Sequence, residues 1–264
     1  MSFQNSQLEF ENMKSDVQIE INSFLKNESK TFINDKDILI KIDNITNQTI
    51  ENLKLWMSEN IPDKYKKIIL KNIYDKNWSE IIEAFKQELT FGTSGIRGKL
   101  ISSIDEKKSD LDLKNLKDFE FESDILRGPN TINEITLLKN INGLIKYMKN
   151  NNMSKIVIGF DSRILSKLFS SLITNLFVKN NFNVILFHFP NSMPELSFTV
   201  VDSKSDMGIE ITASHNDKRY NGYKLITKHG GPPSIEIRDQ IAKFILENRM
   251  NLPYELISKT MHDS

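Results

Sequence analysis

The chain has 264 residues, enough for one large domain or a domain with an appendage, and its 39% hydrophobic content supplies a core for either. Lys plus Arg and Asp plus Glu both total 35, so no general electrostatic pull draws it to nucleic acid or to a membrane surface. Cysteine is absent, which excludes disulfides, thiolate metal sites and cysteine nucleophiles.

Met1 to Asn12 has neither the basic start nor the apolar core of a signal peptide. The longest apolar runs, such as Val184 to Phe187, are far too short to span a bilayer. A cytoplasmic protein is the expectation.

Residues 1–90 are expected to form an α-helical extension without chemistry of its own. Leu8, Phe10, Met13, Val17, Ile21 and Leu25 follow a loose helical stripe, and Ile50, Leu53, Trp56 and Met57 a clearer one. Tyr65, Ile68, Ile69 and Ile73 make a third after Pro62, which suits a first-turn position. Asn77 and Glu80 are spaced as a capping pair for a helix carrying Ile81, Ile82, Phe85 and Leu89.

From Phe91 the pattern changes. Phe91 to Gly98 holds three of the chain's ten glycines, and the charged stretch Asp105 to Asp124 reads as part of a polar surface insertion near 102–130. A helix is predicted from near Asn133, burying Ile135, Leu138, Ile141, Leu144, Ile145 and Met148. Then strands and helices alternate. Strands are predicted at 155–160, 182–189, 207–212 and 222–227, and helices at 166–179, 194–203 and 234–248. That alternation specifies a layered α/β domain.

In such a domain, ligand sites gather in the loops beyond strand ends. Ser214 lies in one of these loops, two residues past the apolar strand MGIEIT. His215, Asn216, Lys218, Arg219, Asn221 and Lys224 surround it in sequence. A phosphate on Ser214 would carry about −1.5 to −2 charge near neutral pH, and this set of donors and cations suits it. Gly222 lets the chain turn back, returning Lys224 toward the loop. A serine hydrolase is disfavoured, because adjacent Ser and His cannot make a triad and no G-x-S-x-G elbow is present. A dinucleotide site is disfavoured too, since no G-x-G-x-x-G follows the first strand.

The segment TASHNDKRYNGYK, residues 212–224, resembles the active-serine signature of the α-D-phosphohexomutase superfamily, commonly T-[AG]-S-H-N-P followed by N-G-[YF]-K. FGTSGIRG, residues 91–98, resembles that superfamily's upstream F-G-T-x-G-x-R-G motif, and IGFDSR, residues 158–163, its G-x-D-x-R strand end. NSMPELSF, residues 191–198, is a weaker match. The resemblance covers the chain from Phe91 to its end, with a looser similarity from about Ile50. It implies a three-layer α/β/α domain with a mixed sheet of about four strands over 91–264, the first of about four domains, behind the helical extension.

By the same resemblance, Ser214 carries the phosphoryl group and exchanges it with a sugar monophosphate through a sugar 1,6-bisphosphate, which also serves as activator. Phosphate thereby moves between C1 and C6 of a hexose. Arg97 and Lys224 lie beside the serine in the family and are suited to charge stabilisation and proton transfer. His215 shapes the loop and contacts phosphate. Asp161 and Arg163 are expected to form a structural ion pair at the strand end. Mg²⁺ is implied, with a phosphoserine oxygen of Ser214 as the one metal ligand from this chain. The family's D-x-D-x-D loop is absent from the sequence, so the chain is expected to be a fragment, a truncated product or one piece of a split enzyme, weakly active or inactive alone. Its expected partners are the sugar phosphate and the missing C-terminal domains as a separate chain. The alternative is a non-catalytic phosphosugar-binding remnant. One departure stands out: Asp217 replaces the usual proline, which frees a φ angle and adds a carboxylate that Lys218 and Arg219 are placed to offset.

Overall fold

The computed structural model describes residues 3–30, 35–92, 95–248 and 252–263. The chain divides into two compact units, one of Met1–Glu88, Ile101–Asp112 and Asp124–Thr131, the other of Leu89–Leu100, Leu113–Ser123 and Ile132–Ser264.

The first unit contains helices α1 (Phe3–Glu28), α2 (Lys36–Ser58), α3 (Asp63–Tyr74) and α4 (Trp78–Phe85). Phe10, Val17 and Ile21 face inward from α1, whereas Leu8, the first residue of the apolar pattern, is exposed. They share a core with Ile50, Leu53, Trp56, Met57, Tyr65, Ile69, Ile81 and Phe85. Trp56 and Phe85 meet edge to face with centroids 5.7 Å apart. Asp35 caps α2, accepting from the Asp37 and Ile38 amides. Asn77 does not act as the expected cap of α4: its amide donates to Asn72 Oδ1 at 3.1 Å, and Glu80 pairs with Lys108. Lys66, fully buried, donates to the Met57 carbonyl at 2.7 Å near the end of α2, and burial lowers its pKa to about 8.

The second unit is built on a five-stranded sheet of β1 (Gly95–Lys99), β2 (Lys155–Phe160), β3 (Asn183–Leu186), β4 (Met207–Ile211) and β5 (Tyr220–Thr227), in the order β1-β5-β4-β2-β3. The three central and outer strands β4, β2 and β3 are parallel, and β5 runs antiparallel to both β4 and β1. The fifth strand exceeds the expected count of about four because the glycine-rich segment before Leu100 pairs as an edge strand. Gly95 and Gly98 carry no side chain to signal a strand, but the β5 ladder supplies partners for the backbone.

Between the strands run α6 (Glu134–Asn150), α7 (Ser166–Lys179) and α8 (Met193–Asp202), with α9 (Ile235–Glu247) and α10 (Glu255–Asp263) following β5. Asn133 and Thr136 form a capping box on α6, and Ser192 and Glu195 another on α8. Leu196 and Val200 of α8 pack with Val157 and Ile226, which lie level with Gly208 in the ladders and so define one face of the sheet. Ile156, Ile158 and Ile209 are fully buried and alternate to the opposite face, where α7 lies over β2, β3 and β4. The stretch from Asp105 to Asp124, expected as part of a polar surface insertion, has regular structure. It forms α5 (Glu106–Phe119) and a 3-10 turn at Glu120–Glu122. With Leu113 and Leu116 buried but Leu111 and Phe119 exposed, its apolar stripe is too short to register as a period.

Gly222 of β5 stands opposite Arg97 of β1, and a Cβ there would lie 2.1 Å from the Ile96 carbonyl oxygen. Gly222→Ala must push β1 away from β5. Its urea midpoint should fall by the equivalent of about 1–3 kcal/mol, the usual cost of overpacking; an unchanged midpoint would contradict that contact.

Candidate active site

Strand β4 is buried along its whole length and delivers the chain to the serine loop. The last ladder bond on its β5 side is Thr212 N–H to the Gly222 carbonyl at 3.0 Å, after which the backbone leaves the sheet. Ser214 is exposed and sits at φ 61°, a left-handed conformation that costs a non-glycine residue energy and persists only where the surroundings impose it. Thr212 Oγ1 accepts from the Ser214 amide at 2.9 Å, and the Ala213 carbonyl accepts from the Asn216 amide at 3.2 Å. These bonds curl the chain into a turn with the serine side chain outside.

Arg163 supplies the larger part of that imposition. Its Nη2 donates to the carbonyls of Ser214 (3.0 Å) and Asn216 (2.6 Å), and its Nη1 to those of Asp217 (2.9 Å) and Tyr220 (3.1 Å). Asp161 aims the guanidinium from the end of β2, with Nε to Oδ2 at 3.2 Å, and Asp161 Oδ1 also accepts from the Arg163 amide and from Ser166 Oγ. Asn221 locks the return, donating to Ser166 Oγ at 3.0 Å and to the Ile164 carbonyl at 2.9 Å. The Asp161–Arg163 pair is present as the sequence led us to expect. Its four bonds to the serine loop were not legible there, because carbonyl partners leave no trace in residue identity.

The other predicted residues are placed as follows. Arg97 lies on β1 opposite Gly222, exposed, and its Nη1 donates to Asn216 Oδ1 at 3.1 Å. Thr93 and Ser94 of the same motif lie outside the described residues. Lys224 stands on β5 opposite Gly95 and Glu210, half-buried, and its Nζ makes no hydrogen bond or ion pair among the described residues. His215 is exposed, with Nδ1 3.5 Å from Ser214 Oγ, the outer limit of a hydrogen bond. Asp217 turns to Arg219, accepting from its amide at 2.9 Å and its Nε at 2.6 Å. Those bonds from Arg219 hold the Asp217 carboxyl below its ordinary pKa and direct its charge at that guanidinium.

Glu210 was missed by sequence reading, although a carboxylate inside the apolar run MGIEIT was the signal. It is only 1% exposed, and Asn191 Nδ2 donates to its Oε2 at 2.9 Å. Burial raises its pKa to about 7, Asp161 and Glu195 add to the rise, and Asn191 and Lys224 act against it. Among the described residues no group of three His, Cys, Asp or Glu side chains is placed to hold a metal ion. The donors around Ser214 are cations and amides, which suit an anion and do not by themselves complete a cation site.

The second unit thus places an exposed serine in a left-handed conformation just beyond the end of its central strand β4. Residues 120–251, half of the chain, match the family described as phosphoglucomutase/phosphomannomutase, alpha/beta/alpha domain I. The chain belongs to this family. A phosphoglucomutase of Staphylococcus saprophyticus is 33% identical over 202 residues, 75% of this chain and 31% of that protein. One from Staphylococcus aureus is 32% identical over 181 residues, 68% of this chain and 28% of that protein. A solved Thermus thermophilus structure described as a phosphomannomutase aligns over 64% of this chain and 32% of its own, at 23% identity and a TM-score of 0.48. The chain thus spans about a third of the length of its curated relatives. Among the described residues no helix is long and apolar enough to cross a membrane.

Replacing Arg163 by lysine leaves one ammonium where a planar fork reached four carbonyls. Arg163→Lys should lose about 2 kcal/mol or more of stability and speed amide exchange at residues 214–220 while the β2 amides stay protected. For Glu210, the folded pKa is raised, so its stabilising contribution is complete below pH 4.5 and is lost as pH rises through about 7. In denaturant melts, Glu210→Gln should abolish that loss. It should exceed the parent at pH 8 by on the order of 3 kcal/mol, and a constant difference across the pH range would argue against a titrating carboxyl.

Proposed function

We propose that this chain is the serine-bearing part of a phosphosugar mutase that moves phosphate between C1 and C6 of a hexose phosphate through phosphoserine and a sugar bisphosphate. The observation that carries the reading is the exposed, left-handed Ser214, held by Arg163 at the end of β4 with Arg97 and Lys224 on adjoining strands. In the transfer, a P–O ester bond of the sugar bisphosphate breaks as the bond from phosphorus to Ser214 Oγ forms. The hydroxyl proton of the serine passes to the departing sugar oxygen. Phosphoryl transfer depends on positioning and charge neutralisation more than on covalent help from the protein.

Arg97 and Lys224 offset the charge on the moving group, and Lys224 is also suited to carry the proton. His215 contacts the phosphate from the loop itself. Asp217, already directed at Arg219, leaves the anion site to these groups. When bound, Mg²⁺ would neutralise charge on the phosphoserine through one oxygen there. Its remaining ligands are proposed to come from other parts of the protein or a partner chain. The proposed sugar phosphate substrate fits a cytoplasmic protein.

The test is intact-mass measurement after mixing the full chain with glucose 1,6-bisphosphate. We expect a gain of one phosphoryl group in the parent protein and none in Ser214→Ala. Arg97→Ala should slow the gain by about 100-fold, the typical effect of removing one charge-stabilising group. Parent protein that binds the bisphosphate without being modified would instead identify a non-catalytic phosphosugar-binding domain.

A further inference from the structure

Glu210 has no part in the chemistry described above, yet the sheet ties it to that chemistry. Gly159, Glu210, Lys224 and Gly95 stand in one row across β2, β4, β5 and β1. Residues level with one another in paired strands project from the same face. For this row that face is the α8 side, because Gly208, two residues before Glu210, meets Val200 and Leu196. The two inner members of the row are a carboxyl and an ammonium, and the two outer members have no side chain.

The missing side chain at Gly159 makes the room. A Cβ there would come 2.5 Å from both Glu210 Oε2 and Asn191 Oδ1. Asn191 fixes the carboxyl within that room: its amide donates to Glu210 Oε2 while its Oδ1 accepts from the Phe160 amide at 2.9 Å. A buried carboxylate with one hydrogen bond is costly to ionise, and Asp161 at the end of β2 and Glu195 on α8 raise the cost. Asn191 and Lys224 favour the charge, Asn191 as a hydrogen-bond donor and Lys224 as a cation. Two residues of strand, about 7 Å, separate this row from the row of Thr212 and Gly222 on the way to the serine loop. Lys224 is half-buried and stands directly across the strand pair from Glu210.

We propose that Glu210 is the positioning residue for Lys224: its ionised carboxyl, seated in the slot left by Gly159, attracts the lysine's ammonium across the strand pair on the α8 face, and protonation removes that attraction. The functional side of this inference rests on the reading of Ser214 as a phosphoryl carrier, whereas the pairing itself does not. Because burial sets the Glu210 pKa at about 7, the attraction changes within the neutral range.

Two measurements on the full chain test it. In carboxyl-carbon NMR, Glu210 should titrate near pH 7, and Lys224→Met should move its midpoint upward by about half a unit or more, as loss of a nearby opposite charge requires. An unmoved midpoint overturns the pairing. In the second, the rate of Ser214 phosphorylation by glucose 1,6-bisphosphate is followed from pH 5.5 to 9. Glu210→Gln should flatten the fall of rate below about pH 7 and lower the alkaline plateau by about tenfold, one charged interaction's worth. Superimposable profiles for the two proteins overturn the proposal. Parent protein that accepts no phosphoryl group at any pH refutes the Ser214 reading instead, and the NMR titration then decides the pairing by itself.

Discussion

Four carbonyl oxygens of one short loop converge on a single guanidinium, and the site depends on that convergence. A polar loop around a serine in the left-handed region would ordinarily relax, because nothing in Ser214 itself favours φ 61°. Arg163 removes the alternative by bonding the carbonyls of residues 214, 216, 217 and 220 at once. Only a planar fork with several fixed donors does this, and Asp161 keeps the fork in plane with the loop. The outcome is a hydroxyl presented to solvent on a backbone that cannot retreat. For the phosphoryl carrier proposed above, such preorganisation matters more than any base placed beside it. The 3.5 Å between His215 and the hydroxyl fits this division of labour.

The second constraint is register. β5 returns antiparallel along β4 and pairs with β1 on its other edge, so residues far apart in sequence come level on one face. Arg97 and Lys224 arrive on the α8 side this way, as do Gly95 and Glu210. A chain with no net charge thereby gathers cations locally. The same ladder buries a carboxyl under one of them. Asp217 shows the complementary solution at the surface, where Arg219 takes up a charge that would otherwise oppose a phosphate.

Much of this was legible in residue order. Lys155–Phe160 and Ser166–Lys179 end where the apolar pattern ends, because a buried parallel strand and its crossover helix carry strong, uninterrupted signals. Edge strand β1 was not legible, since GIRGK has two glycines and an exposed arginine, and its pairing is decided by β5. Helix α5 buries too few side chains to show a period. Asn77 had the right spacing for a cap, but Asn72 competes for its amide.

Sequence alone singled out the residues proposed to carry chemistry: a serine followed by histidine, amides and cations at the end of an apolar strand, with a glycine-rich motif upstream. Those are matters of composition and spacing, which survive without coordinates. Tertiary structure alone decided what each residue does to its neighbours. The clamp by Arg163 runs to backbone oxygens, which every residue possesses, so no side-chain pattern announces it. The row that sets Glu210 between Gly159 and Lys224 is a product of strand register, and register is fixed by the packing of both sheet faces at once.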